Sequence, residues 1–185
     1  MRRQLWPAVR MVIAMTVLTG LLYPLAFTGL AQLTFSEEAN GSLVEYEGQV
    51  VGSLLLAQTF TGEEFFHPRP SAADHDPTSS SGSNLGPTNP DLLAMIQRRV
   101  SEYRALNGLD SSALVPVDAV TSSASGLDPH ISMANAVLQA PRVAGARGSS
   151  LESVLQLIEA QKVDDAGSGY VNVLELNVAL EEARS

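Results

Sequence analysis

The 185-residue chain contains no cysteine. That excludes disulfide bonds, thiolate catalysis, cysteine-ligated zinc and a lipid-modified N-terminal cysteine. Lysine is almost as scarce. Lys162 stands alone, so no Gly-Lys-Ser/Thr phosphate loop exists. Acidic residues are missing from the first 36 positions, and all 20 lie beyond them. Charge of either sign is missing from Met11 to Ser36, a run of 26 residues.

That run is long enough to cross a hydrocarbon core about 30 Å thick. Arg2, Arg3 and Arg10 precede it, and Glu37 and Glu38 close it. Arginine on one flank only places residues 1–10 in the cytoplasm and the rest of the chain outside it. A cleaved signal peptide is the rival reading, because Gly29-Leu30-Ala31 resembles a small-residue cleavage site. The apolar run is much longer than the usual signal core of about 7–15 residues, which favours a retained helix over 11–36. Gly20, Pro24 and Gly29 within it are candidate contacts with other membrane helices.

Residues 37–185 suit a single domain with a real core. They carry twelve more acidic than basic side chains. Such a surface is a poor partner for nucleic acid or for anionic lipid, and it concentrates cations mildly. Solubility alone explains the same excess.

Ser42–Tyr46 and Gln49–Phe60 read as two antiparallel strands joined at Glu47-Gly48. Residues 61–88, dense in Pro, Ser, Gly, Asp and His, read as a long ordered loop. Asn89-Pro90-Asp91 is a helix start: a cap, a pre-set first residue and an acid at the positive end. Leu92, Leu93, Ile96, Val100, Tyr103 and Leu106 follow at helical spacing, and Gly108 ends the helix. Pro116–Val120 reads as a short strand. Ser132–Gln139 reads as a helix that Pro141 restarts or kinks and that Gly145 and Gly148 break. Ser149 and Glu152 have capping-box spacing ahead of another helix, with Leu151, Val154, Leu155 and Ile158 on one face. Residues 162–169 read as a polar turn, and Val171–Leu180 as a short strand running into a terminal helix. The sum is α+β: one membrane helix, then one mixed domain with strands early and helices late. No internal repeat is visible.

Asp128-Pro129-His130, with His67, His75, Asp74 and Asp76, offers metal ligands or an acid/base pair. Loop stabilisation explains the same residues, and no pair has the i, i+4 spacing of a helical zinc motif. A membrane-tethered hydrolase using Asp128 and His130 is one alternative function. Gly82-Ser83-Asn84-Leu85-Gly86 does not reproduce the nucleophile-elbow pattern. The run 81–90 could offer backbone N–H groups to phosphate at a helix start. Ser83, Asn84, Gly86, Thr88 and Asn89 are therefore the candidate nucleotide contacts of a second alternative, although a helix start explains Asn89 and Pro90 without a ligand. Residues 162–167 lack the oxygen spacing of a calcium loop. No metal site is expected.

Three stretches are specified beyond folding: 65–72, 81–90 and 116–132. Arg69-Pro70-Ser71-Ala72, Ser83-Asn84-Leu85-Gly86-Pro87-Thr88-Asn89-Pro90 and the run from Asp118 through Ser125, Asp128 and His130 to Ser132 resemble the C subunit of Kdp-type potassium-transporting P-type ATPases. Gln139, Arg142, Arg147, Asn172 and Asn177 continue the resemblance, as does Tyr23-Pro24 in the single span. One departure is Ser81-Gly82-Ser83, where the family pattern usually pairs glycines before the serine. The resemblance implies an accessory subunit, not an enzyme, in an inner-membrane complex that hydrolyses ATP to import K⁺. It implies two partners, an ATP-hydrolysing subunit and a channel-like subunit. It also implies roles in assembly and in raising the partner's affinity for ATP. ATP and K⁺ belong to the complex, and no cofactor of this chain is implied. Neither a P-type Asp-Lys-Thr-Gly motif nor a filter sequence occurs here.

Overall fold

A computed structural model describes residues 2–165 and 168–183. Ala166 and Gly167, inside the expected polar turn, lie outside the described residues, as do Met1, Arg184 and Ser185. The chain divides into two units, Met1–Leu43 and Val44–Ser185.

The first unit is a helix that starts earlier than the uncharged run, at Arg2. It comprises α1 (Arg2–Val17), a wider π turn at Leu18–Leu22, and α2 (Tyr23–Thr34). The π turn has a local cause. Pro24 has no N–H to give the Gly20 carbonyl, and the Tyr23 N–H bonds Leu18 five residues back. Arg3–Thr34 is long and apolar enough to cross a membrane. A short helix, α3 (Ser36–Ala39), follows, and Gly41 turns the chain at φ 93°.

The second unit is α+β. Strands β1 (Leu43–Tyr46) and β2 (Gln49–Ser53) form a hairpin. Glu47 and Gly48 both take positive φ, 50° and 75°, as a two-residue primed turn demands. The second strand ends at Ser53 rather than Phe60, because the chain then turns back and the Leu54 carbonyl is taken by the Asn172 side chain. Residues 61–88 contain no helix or strand. Helix α4 (Pro90–Leu106) starts as expected: Asn89 accepts from the Asp91 N–H.

Three expectations fail for non-local reasons. Residues 117–119 form a single 3₁₀ turn, not a strand, which aims Asp118 at a later helix start. Helix α5 (Met133–Arg147) runs unbroken through Pro141 and Gly145 to a left-handed Gly148. Val137, Pro141 and Gly145 lie on its exposed side, so the carbonyl that Pro141 leaves free sits where water can reach it. Where a polar turn was expected over 162–169, the described residues from Val163 onward are strands: β4 (Val163–Asp165) and β5 (Ser168–Asn172) pair antiparallel, with β3 (His130–Ser132) on the other side of β5. The main sheet is thus built late in the chain, not early. Helix α6 (Leu151–Ala160) is capped by Ser150 bonding Ser153 N–H, one residue after the expected cap, so Glu152 cannot close the box. Helix α7 (Val173–Glu182) starts on Asn172.

The core lies between the sheet and α5, α6 and α7. Phe66, Ile131, Val143, Ile158, Val171 and Leu176 are its large members. Ala136, Ala140 and Ala144 give α5 a flat buried stripe against which neighbours pack closely.

Candidate functional site

Phe66, fully buried, pins residues 61–71 across the core as a strap. The strap has no secondary structure, so its backbone groups need side-chain partners. Helices α5 and α7 supply them. Asn177, 2% exposed, accepts from the Phe66 N–H at 2.8 Å and donates to the Phe66 carbonyl at 3.0 Å. Gln139, 1% exposed, treats His67 the same way, at 2.8 and 3.1 Å. Arg142 donates to the carbonyls of Glu63 and Phe65, to Gln139 and to Asn107. Arg147 donates to the carbonyls of Glu64 and Leu180 and to the Glu181 carboxylate.

Asn135, Gln139 and Arg142 form one polar row, at i, i+4 and i+7 on α5. Asn135 accepts from the Tyr103 hydroxyl at 2.8 Å and from Gln139 at 2.9 Å. Its amide donates to Asp118, which also accepts from the Ser132 N–H and hydroxyl. A carboxylate at the start of α5 opposes the positive helix end. Beside this row opens a cleft of about 420 Å³ lined by His67, Pro70, Arg99, Tyr103, Asn135 and Gln139. Burial lowers the His67 and Arg99 pKa values, and burial followed by Asp118 raises that of Tyr103.

A second, shallower groove of about 510 Å³ is lined by Arg69, Asp118, Asp128, His130 and Tyr170. Arg69 bonds Asp128 at 2.7 Å, and the His130 ring stands 3.5 Å from the other carboxylate oxygen. The His130 ring, the His130 N–H and Arg69 together hold the Asp128 carboxyl down at about 2, against partial burial. The ring of His130 meets Tyr170 edge-on. An aspartate so committed to a guanidinium is a structural anion rather than a base.

The other candidates disperse. His67 donates to the Gly62 carbonyl, His75 bridges the Thr59 hydroxyl and the Arg69 carbonyl, and Asp76 folds onto Thr78. Among the described residues no group of three or more His, Asp or Glu side chains is placed to hold a metal ion. Ser71 and Ser125 tie neighbouring loops: Ser71 bonds the Gly126 carbonyl, and the Ser125 carbonyl accepts from Ser80 and Ser81. Gly126 has φ +70°, and a Cβ there would stand 2.6 Å from the Ser81 carbonyl oxygen, so the contact requires glycine. Ser83, Asn84, Gly86 and Thr88 are exposed and line neither cleft, while Asn89 is occupied as the α4 cap. Asn172 caps α7. On the first unit's helix Gly29 stands in open space, and a Cβ at Gly20 would meet only the Thr16 methyl at 4.0 Å.

Asn135, Tyr103 and Phe66 were missed as partners of the motif residues. An Asn and a Gln four apart on an alanine-rich helix face was the available signal.

A family model described as "KdpC: K+-transporting ATPase, c chain" matches residues 5–182. A potassium-transporting ATPase KdpC subunit from Mycobacterium tuberculosis is 55% identical over 98% of this chain and 99% of its own length. Its counterpart from Cereibacter sphaeroides is 49% identical over 99% of each. The one from Rhodospirillum rubrum is 48% identical over 98% of this chain and 97% of its own length.

Proposed function

The chain belongs to the KdpC family of K⁺-transporting ATPase c chains, and on that premise we propose that it is the non-catalytic accessory subunit of an ATP-driven potassium import complex. Its partners are the ATP-hydrolysing subunit and the channel-like subunit of the same complex. It stabilises their assembly and raises the ATP affinity of the first. One observation carries this reading: the family match spans both the membrane-length helix and the α+β unit, so the two work as one subunit.

Arg3 and Arg10, with Arg2, keep the N-terminus in the cytoplasm, and the α+β unit faces outward from the inner membrane. ATP is cytoplasmic, so the effect on nucleotide affinity is a coupling free energy relayed through the membrane helix and its partners. The outward unit lies over the potassium entrance, where its acidic surface favours cation approach. A reporter active only outside the cytoplasm, fused after Ser185, tests the placement. Activity is expected. A silent reporter on a stably produced fusion would contradict it and restore direct nucleotide contact at Ser83–Asn89.

A further inference from the structure

A small cleft of about 140 Å³ opens between the β1–β2 hairpin, the strap and α7. Tyr46, Val51, Phe60, Phe65, Leu174 and Val178 form its walls. Apart from the Tyr46 hydroxyl, three polar side chains border it, and those three are already engaged. Gln58 donates to the Val51 carbonyl, Asn177 holds Phe66, and Glu181 accepts from Arg147. What the cleft presents to a visitor is aliphatic and aromatic surface.

The elements around it are acidic. Glu45 and Glu47 lie on the hairpin, Glu63 and Glu64 on the strap, and Glu182 on α7. Residues 43–66 and α7 contain no lysine or arginine. The Arg147 guanidinium behind Phe65 is neutralised by Glu181 and stacks on the Phe65 ring at 5.2 Å.

We propose that this cleft receives an apolar side chain flanked by basic residues, presented by the outer face of a membrane-borne partner subunit. The proposal rests on the reading of this chain as an accessory subunit. Charge chooses among occupants. Anionic lipid headgroups are repelled by the surrounding glutamates, and a second copy would set the same glutamates against each other. Tether length agrees. Residues 35–42 separate the span from β1, and at about 3.5 Å per residue they reach at most about 30 Å. Whatever orientation the two units adopt, the hairpin stays within reach of subunits in the same membrane.

The absence of cysteine makes the test clean. Val51→Cys and Val178→Cys each carry one photoreactive thiol label on the full chain, which is purified from membranes with its partners and irradiated. The expected result is an adduct with a partner subunit from both positions. Val178→Lys in the Val51→Cys background should lower that yield roughly tenfold, the equivalent of about 1.4 kcal/mol. Adducts with lipid or a second copy alone, or no partner adduct while partners co-purify, would overturn the proposal. Failure of the unsubstituted chain to co-purify with any partner would overturn the accessory-subunit reading itself, and the proposal with it.

Discussion

Asn177 is buried and holds both backbone groups of Phe66. Truncating it leaves a buried N–H and a buried carbonyl unpaired, at about 1–3 kcal/mol each. Asn177→Ala should therefore destabilise the detergent-solubilised chain by roughly 2–4 kcal/mol in urea unfolding, and Asn177→Leu, which keeps the volume, should not rescue it. Two side chains shape the acid side of the pH response. Burial depresses the His67 pKa, so the fold holds it neutral while the unfolded chain takes up a proton near its ordinary value of 6.5. Stability should fall as pH drops below that value, and His67→Gln should flatten this part of the profile. Asp128 has a folded value of about 2 against an ordinary 3.8, so its contribution is complete above 3.8 and is lost as pH falls toward 2. After discounting for solvent screening, Asp128→Asn should cost roughly 1 kcal/mol at neutral pH and almost nothing near pH 2.

At the level of elements, α4 and α5 make a useful contrast. Helix α4 buries none of its residues and is attached largely by hydrogen bonds: Tyr103 to Asn135, Arg99 to the Val120 carbonyl and Arg104 to the Ala113 carbonyl. Helix α5 buries six. Amide exchange should be faster across 90–106 than across 133–147, because opening α4 exposes little apolar surface. Equal protection would contradict this picture. Most caps and turns that depend on neighbours in sequence were legible: Glu47-Gly48, Asn89-Pro90, and Gly148 as a helix stop, with the α6 cap displaced by one residue to Ser150. What failed depended on distant partners. Val117 and Val120 looked strand-like, but the Asp118 contact with Ser132 and Asn135 decides that turn. Pro141 looked disruptive, but only the finished fold reveals that its side of α5 faces water. The site was partly legible: the motif residues were identifiable, but Gln139 and Asn177 clamp backbone 72 and 111 positions away, a separation no local pattern encodes.

On the scale of the whole molecule, a membrane-length helix carries an acidic α+β unit whose motif residues mainly secure its own strap and loops. Residues engaged in holding backbone in this way are in keeping with the accessory role proposed above. The most direct test is affinity purification of the full chain from membranes, followed by an ATPase assay. The account predicts co-purification of an ATP-hydrolysing subunit and a multi-span subunit, K⁺-stimulated hydrolysis by the assembly, and none by this chain alone. Recovery of the chain without partners, or ATP hydrolysis by the isolated chain, would contradict it.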